Sequence, residues 1–496
     1  MKYIIKGMLA ACLFYPMLLN AQNEIDALRY SQNMFGSTAR SFSMGGAFGA
    51  LGADFSSLSG NPGGLGVYRK SEFTLSMGFN NRNTETEYIL NKDYNNRFSF
   101  DLPNLGMVFS LPSKNADQFR MSIALGYNRT ANFNSESTFG GKNRQNSLLD
   151  SFIEDIQQIG GISEDDIYFA FPYDAGLAYD TYLLNPDTLN FNQYISVIPD
   201  GEEFQSQITK TWGGMGEYAF GMGFNIRDKV QFGFTFGFPT IRYEEDRVYE
   251  ERDIDDEISV ADSLNFRAFR YDTHLRTTGN GFNFKFGVIV KPIDWLRLGA
   301  AVHTPTYYFM HDNYHSYMYS AYEGGVSYEA YSPEGSYSYN LTTPFRAIGS
   351  LAFIFGKFGL VSFDYEITDY SGSKLDASDY NFSNENKIID IAYSNFSSNL
   401  RGGLEYKYQR FSFRAGVAYY TTPFESAYTS DETNQESISY TAGIGFREKR
   451  FFIDLGYGYT TRSESFTPYT LVNENVPASI MDRTDNRFVT TFGFRF

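Results

Sequence analysis

The sequence predicts an all-β chain, a transmembrane antiparallel β-barrel of about fourteen strands with an N-terminal plug segment. Three observations carry this. Aromatic residues alternate with small or polar ones over stretches long enough to cross a bilayer. Short and long connections between those stretches alternate along the chain. The chain ends on an aromatic strand whose last residue is Phe496.

Residues 1–21 read as an export signal. Lys2 and Lys6 precede an apolar stretch from Met8 to Leu19, and Leu19-Asn20-Ala21 is a cleavage site before Gln22. The stretch is too short to span a membrane as a helix. Leu9-Ala10-Ala11-Cys12 resembles a lipoprotein cleavage box, but apolar sequence continues past the cysteine, which favours cleavage after Ala21. Such cleavage removes the one cysteine and, with it, disulfide and thiol chemistry. It also removes Lys2 and Lys6, taking the net charge from −17 to −19. A surface so acidic argues against nucleic acid as a partner.

Residues 22–70 contain SMGGAFGALGADFSSLSGNPGGLG at 43–66, richer in glycine than a helix tolerates and without strand alternation. A flexible linker would not carry Met44, Phe48, Leu51, Phe55, Leu58 and Leu65, which need burial. The segment precedes the first strand, and a barrel of about fourteen strands is too wide for its own side chains to fill. The segment therefore reads as a plug, nested against inward-facing glycines such as Gly221, Gly223, Gly233, Gly237, Gly443 and Gly445.

From residue 71 to 496 the period is two. Val230, Phe232, Phe234, Phe236 and Phe238 alternate with Gln231, Gly233, Thr235 and Gly237; 361–368 and 451–459 repeat the pattern. A soluble sandwich also alternates, but its strands are usually about five or six residues long, and many here reach the ~9–11 that cross a bilayer when tilted. Within a bilayer, such strands must close on themselves. Fourteen strands are expected near 71–80, 97–111, 118–128, 217–227, 229–242, 270–290, 295–305, 344–356, 359–369, 399–409, 411–422, 436–447, 451–463 and 487–496. The long links are then 81–96, 129–216, 243–269, 306–343, 370–398, 423–435 and 464–486. Within them, 147–160 has the spacing of a short amphipathic helix, and Glu244–Glu257 reads as a solvated acidic loop.

Ala39-Arg40-Ser41, Met44-Gly45-Gly46-Ala47, Asp54 and Asn61-Pro62-Gly63-Gly64-Leu65 together resemble the N-terminal signature of FadL/TodX-type outer-membrane transporters. The resemblance is specific over about 30 residues. It implies a fourteen-stranded barrel in the outer membrane of a Gram-negative bacterium, with a hatch motif here formed by Gly45, Gly46, Asp54, Asn61, Pro62 and Gly63. Gly63 stands where the family usually has Ala, which implies a hatch of different mobility. The aromatic C-terminus ending in Phe496 resembles the signal read by the barrel-assembly machinery, and outer-membrane lipids are the expected surroundings. The implied function is passive uptake of hydrophobic small molecules such as long-chain fatty acids. A rival comes from the same barrel family, which includes a cargo shuttle of the type IX protein secretion system; long acidic loops suit protein docking too.

Arg346, Asp364, Glu366, Arg401, Glu405, Arg414 and Asp454, with Lys407, fall on the polar phase of their strands and are expected to line the lumen. They serve either a charged headgroup or a network that anchors the plug; charge on the lipid face would be costly. His311 and His315 flank Asp312 at a spacing that could hold a metal on a helix, but Tyr-rich surroundings and Ser-Pro-Glu-Gly indicate an irregular loop, so no metal is expected. No Ser/His/Asp motif accompanies His274, His303, His311 or His315, and no nucleotide-binding motif is present. Neither an enzyme nor a cofactor is expected.

Overall fold

The period-two pattern builds one continuous wall. The computed structural model describes residues 24–111, 118–198, 203–254, 266–425, 436–472 and 474–496; the expected leader lies outside them. Fourteen strands make the barrel: β1 Glu72–Tyr88, β2 Asn91–Leu111, β3 Phe119–Asn132, β4 Phe204–Ile226, β5 Val230–Arg252, β6 Phe266–Ile293 and β7 Leu296–His303 form one half. The other half is β8 Arg346–Phe355, β9 Gly359–Thr368, β10 Ser397–Tyr408, β11 Phe411–Tyr420, β12 Ser437–Arg447, β13 Phe451–Phe466 and β14 Ser479–Arg495. Each pairs antiparallel with its sequence neighbour. β14 returns to β1 in a register that sets Phe73 opposite Phe494, so the barrel closes. Closure leaves no free edge among these strands.

The two faces separate as the alternation requires. On β5, Gln231, Gly233, Thr235 and Gly237 are buried, whereas Phe236 and Phe238 are exposed. On β9, Ser362, Asp364 and Glu366 are buried while Phe363 and Tyr365 face outward. Phe488, Phe492, Phe494 and Phe496 continue the outward aromatic band, with Val489 and Thr491 inward. No helix among the described residues is long and apolar enough to cross a membrane, which says nothing of the strands.

The strand count and order match the expectation, but the long links are far more regular than expected. β1 and β2 run on to a tight turn at Ile89-Leu90, pairing Tyr88 with Asn91, so most of 81–96 is ladder. Both turn residues have positive φ, 46° and 67°, where a β-branched side chain is uncommon and Asn-Gly or Asp-Gly is the usual signal. Most of 243–254 extends β5, and within 306–343 a strand at Tyr307–Tyr322 pairs with β6 and with Gly335–Thr342. His311 and His315 therefore lie on a strand, not in an irregular loop. Four residues along a strand separate them by about 13 Å. His311 Nδ1 meets Ser338 Oγ at 2.9 Å, and His315 stacks on His274 at 4.9 Å.

At the long-connection end a cap covers the mouth. Helix Leu148–Gln158 forms where its apolar spacing predicts, with Ser147 and Asp150 making a capping box. Its Leu149, Phe152 and Ile156 pack with Leu177, Tyr249, Phe269 and Met318. Glu251, inside the stretch expected to be solvated, is instead fully buried. It accepts hydrogen bonds from Ser147 Oγ and the Leu148 backbone, both at 2.8 Å, and holds the helix start to β5. The remainder of that acidic stretch, 255–257, lies outside the described residues.

Three acids in the cap, Asp150, Asp155 and Asp174, have pKa values pushed up to about 6, first of all by burial. A carboxyl with a raised folded pKa favours the folded state while protonated. Cap stability is therefore full below about pH 4 and falls as pH rises through about 6. Amide exchange in 148–158 and 175–180, corrected for intrinsic rates, should be slower at pH 4.5 than at 7.5. Asp174→Asn keeps the acceptor that holds the Ala175 N–H at 2.7 Å and should flatten part of this dependence. Equal protection at both pH values would rule this account out.

Candidate functional site

The N-terminal segment meets the inner wall strand by strand, and at several contacts the wall residue is glycine. A Cβ on Gly416 would come within 2.2 Å of Met44, and one on Gly223 within 2.3 Å of the Gly66 nitrogen. A Cβ on Gly233 would come within 2.2 Å of the Pro62 carbonyl. Backbone thus lies against backbone across β4, β5 and β11, an approach that side chains would prevent. Phe55, Leu58 and Leu65 pack on Val108, Ala124 and Ala219, and Met44, Phe48 and Leu51 on Ala352 and Leu360.

The hatch-motif residues shape this segment locally. Gly45 and Gly46 take positive φ, 63° and 76°, and the Gly45 N–H donates to Thr441 Oγ1 at 3.0 Å. Asp54 caps the turn Phe55–Leu58, accepting from the Ser56 N–H at 3.0 Å and from Thr38 Oγ1 at 2.7 Å. Asn61 caps Pro62–Val67 by accepting from the Gly63 N–H at 3.0 Å. Its amide donates to Gly49 O at 2.6 Å and to Val288 O on β6 at 3.2 Å. Gly63 itself rests on the wall. A Cβ there would stand 3.0 Å from Gly287 O and Val288, so Gly63→Ala requires the wall to give by a few tenths of an ångström.

The inward charges expected on the wall form two clusters. Arg414 joins Glu405 at 2.7 Å and Asp454 at 2.6 Å, and Arg40 of the segment reaches the same Glu405 at 3.1 Å. Arg401 pairs with Glu366 at 2.8 Å, and Arg346 approaches that carboxylate at 3.8 Å. Arg346 also donates to the Ser31 carbonyl. Asp364 accepts the Phe48 and Gly49 N–H groups, both at 3.0 Å. Lys407 differs from the rest: it touches Glu405 at 3.2 Å but stands largely exposed at the short-turn end.

Between segment and wall lies a cavity of about 150 Å³, bordered by Ser59 and Asn61 on one side and Glu217, Asn283, Lys285 and His303 on the other. Lys285 pairs with Glu217 and donates to Asn283 Oδ1 at 2.9 Å. Ser59 Oγ donates to Glu217 at 3.0 Å, and His303 Nε2–H donates to Gly60 O at 2.7 Å. None of these four wall residues stood out in the sequence. Their inward phase was readable, as with Lys285 between Phe284 and Phe286, but their convergence from β4, β6 and β7 was not.

β6 orders the interior from one end to the other. Phe269 belongs to the cap. Beside Gly279, Met310 and Ile241 form an apolar-aromatic layer with Tyr243, Tyr308 and Tyr339, against which helix Glu24–Arg29 packs Ala27 and Leu28. Asn283 and Lys285 border the polar cavity, and Gly287 faces Asn61 and Pro62. A cavity of about 150 Å³ holds roughly one benzene-sized molecule.

No family model matches the sequence, and no curated protein is similar to it. Solved structures are similar in architecture. A Pseudomonas aeruginosa FadL homologue superposes with a TM-score of 0.58 at 13% identity, covering 94% of this chain and 100% of its own. The P. putida toluene transporter TodX gives 0.53 at 12% identity, over 92% of this chain and 98% of TodX. The monoaromatic hydrocarbon channel CymD gives 0.51 at 11%, over 93% and 99%. With barrel closure, strand count and nearly full-length superposition agreeing, the chain has the FadL/TodX-type fold.

Proposed function

We propose that the chain is an outer-membrane channel for passive uptake of hydrophobic small molecules with one polar end, such as long-chain fatty acids, and that residues 24–70 form its hatch. The observation that carries this is the layered interior read along β6. An aromatic cap and an apolar layer stand at one end, a charged cavity follows, and a glycine-seated segment comes last. An amphiphile loses its tail hydration in the first two layers, at roughly 0.8 kcal/mol per buried CH₂, and finds partners for its head in the third. The outward Phe and Tyr band suits a bilayer. Fold neighbours that are a toluene transporter and a monoaromatic hydrocarbon channel add support.

A disulfide lock tests the hatch. The Ser43 Cβ lies 3.6 Å from a Cβ built on Gly456 of β13, inside the ~3.5–4.5 Å a disulfide needs. Cys12 is the only cysteine in the chain, so the crosslink is readily assigned. Oxidised Ser43→Cys/Gly456→Cys should lose at least tenfold of long-chain fatty acid uptake by whole cells, and reductant should restore it. Normal uptake through the locked protein would overturn the proposal. Loss of protein export on trimming 129–216 or 306–343, with uptake unaffected, would favour the secretion-accessory reading.

A further inference from the structure

A concentration of positive charge lies away from the polar cavity, at the short-turn end. There a second cavity, of about 460 Å³, opens beneath the N-terminal segment. Seven basic side chains border it, against one carboxylate, Glu72. This excess sits in a chain whose formal net charge is −17, so composition alone does not account for it.

The charges divide by what they touch. Arg40 and Lys407 share Glu405, Arg495 takes Glu72 at 2.8 Å, and Arg69 takes Asp228 at 3.1 Å. Arg447 and Arg297 have no carboxylate partner among the described residues. Arg447 and Arg495 both stack on the Phe452 ring, 5.0 and 5.1 Å from its centre. Phe452 on β13 thus collects a cation from each neighbouring strand, Arg447 from β12 and Arg495 from β14, and like charges gathered round one ring repel unless an anion compensates them. Arg297 donates one N–H to Leu51 O at 2.9 Å, while its Nε is buried with no hydrogen-bond partner. Such a group costs free energy unless something completes it. The rest of the lining is apolar, with Leu51, Val67, Ile354 and Leu360.

From this geometry we infer that the vestibule is an oxyanion site, which receives the carboxylate end of an amphiphile as it leaves the barrel on the short-turn side. The identification of that amphiphile as cargo rests on the function proposed above; the anion site itself does not. A guanidinium without a carboxylate partner, as on Arg447 and Arg297, matches the planar oxygens of a carboxylate, and the apolar lining takes the start of a tail. The exposed cations make the attraction fall with salt.

The test uses the full protein in nanodiscs of uncharged phosphatidylcholine, with dodecanoate, dodecan-1-ol and inorganic phosphate as probes. Arg447→Gln/Lys407→Gln should bind dodecanoate at least tenfold more weakly, as expected for losing charged hydrogen bonds, and dodecan-1-ol within twofold of wild type. Arg447→Lys/Lys407→Arg should retain most dodecanoate binding, and added NaCl should weaken binding to the wild type and to this variant more than to the Gln variant. Heat-shifted gel migration reports that each variant is folded. Phosphate that binds the wild type, fails to bind the Gln variant and competes with dodecanoate supports the site. Phosphate binding lost in the variant without any dodecanoate binding would leave a free-oxyanion site and overturn its role in amphiphile release. Unchanged binding of both anions in the Gln variant would overturn the vestibule site, without touching the disulfide result on uptake.

Discussion

Gly223→Val/Gly416→Val is expected to drive the N-terminal segment off its seat and raise single-channel conductance in planar bilayers several-fold. Each substitution places a Cβ within about 2.2–2.3 Å of segment backbone, a distance no rotamer change relieves. Overpacking of this kind costs about 1–3 kcal/mol per site. Valine suits a strand better than glycine does, so the wall gains local propensity while the segment loses its groove. The two sites lie on β4 and β11 and act on different parts of the segment, near Leu65 and Met44, so both must be escaped together. A folded variant with unchanged conductance would mean that residues 24–70 do not occlude the barrel.

Glu405→Gln should have the largest effect on stability. One carboxylate serves Arg40 at 3.1 Å, Arg414 at 2.7 Å and Lys407 at 3.2 Å, and both arginines are buried. Removing one partner from a buried ion network costs about 3–5 kcal/mol, because the remaining charges stay out of water. Arg414 keeps Asp454 at 2.6 Å, so the wall should survive, while Arg40 loses its ion-pair partner and the segment loosens. Limited proteolysis should cut within 24–70 at least tenfold faster than in the wild type. Arg40→Gln should give a similar rate, and the double variant little more than either alone, since both remove the same tie. Additive effects would show that the two residues act separately.

The strands themselves were legible because alternation is a property of neighbouring residues. Phe236 and Phe238 could be assigned outward, and Asp364, Glu366 and Arg414 inward, from phase alone. The turns at Asp54 and Asn61 are legible for a related reason: each residue caps a turn only two residues away. The helix at 147–160 announced itself by spacing and by Ser147 with Asp150. In contrast, the hairpin turn at Ile89-Leu90 carries no turn residue, so β1 and β2 were read about eight and six residues short. The strand of His311 and His315 leaves no local signal because it is held by β6, whose partner residues lie some 30–40 positions earlier.

The sequence by itself determined the number of strands, the face each residue takes, and that the N-terminal segment needs burial. All three follow from steric alternation, local capping and the cost of exposing apolar side chains. Tertiary structure alone decided which inward residues meet. Glu217, Asn283, Lys285 and His303 converge from three strands. Arg40 finds Glu405 across 365 positions of chain, and Arg447 and Arg495 reach one phenylalanine ring, that of Phe452, from different strands. Such meetings depend on register and closure, which are set by the whole cylinder of pairings and leave no trace within any one strand.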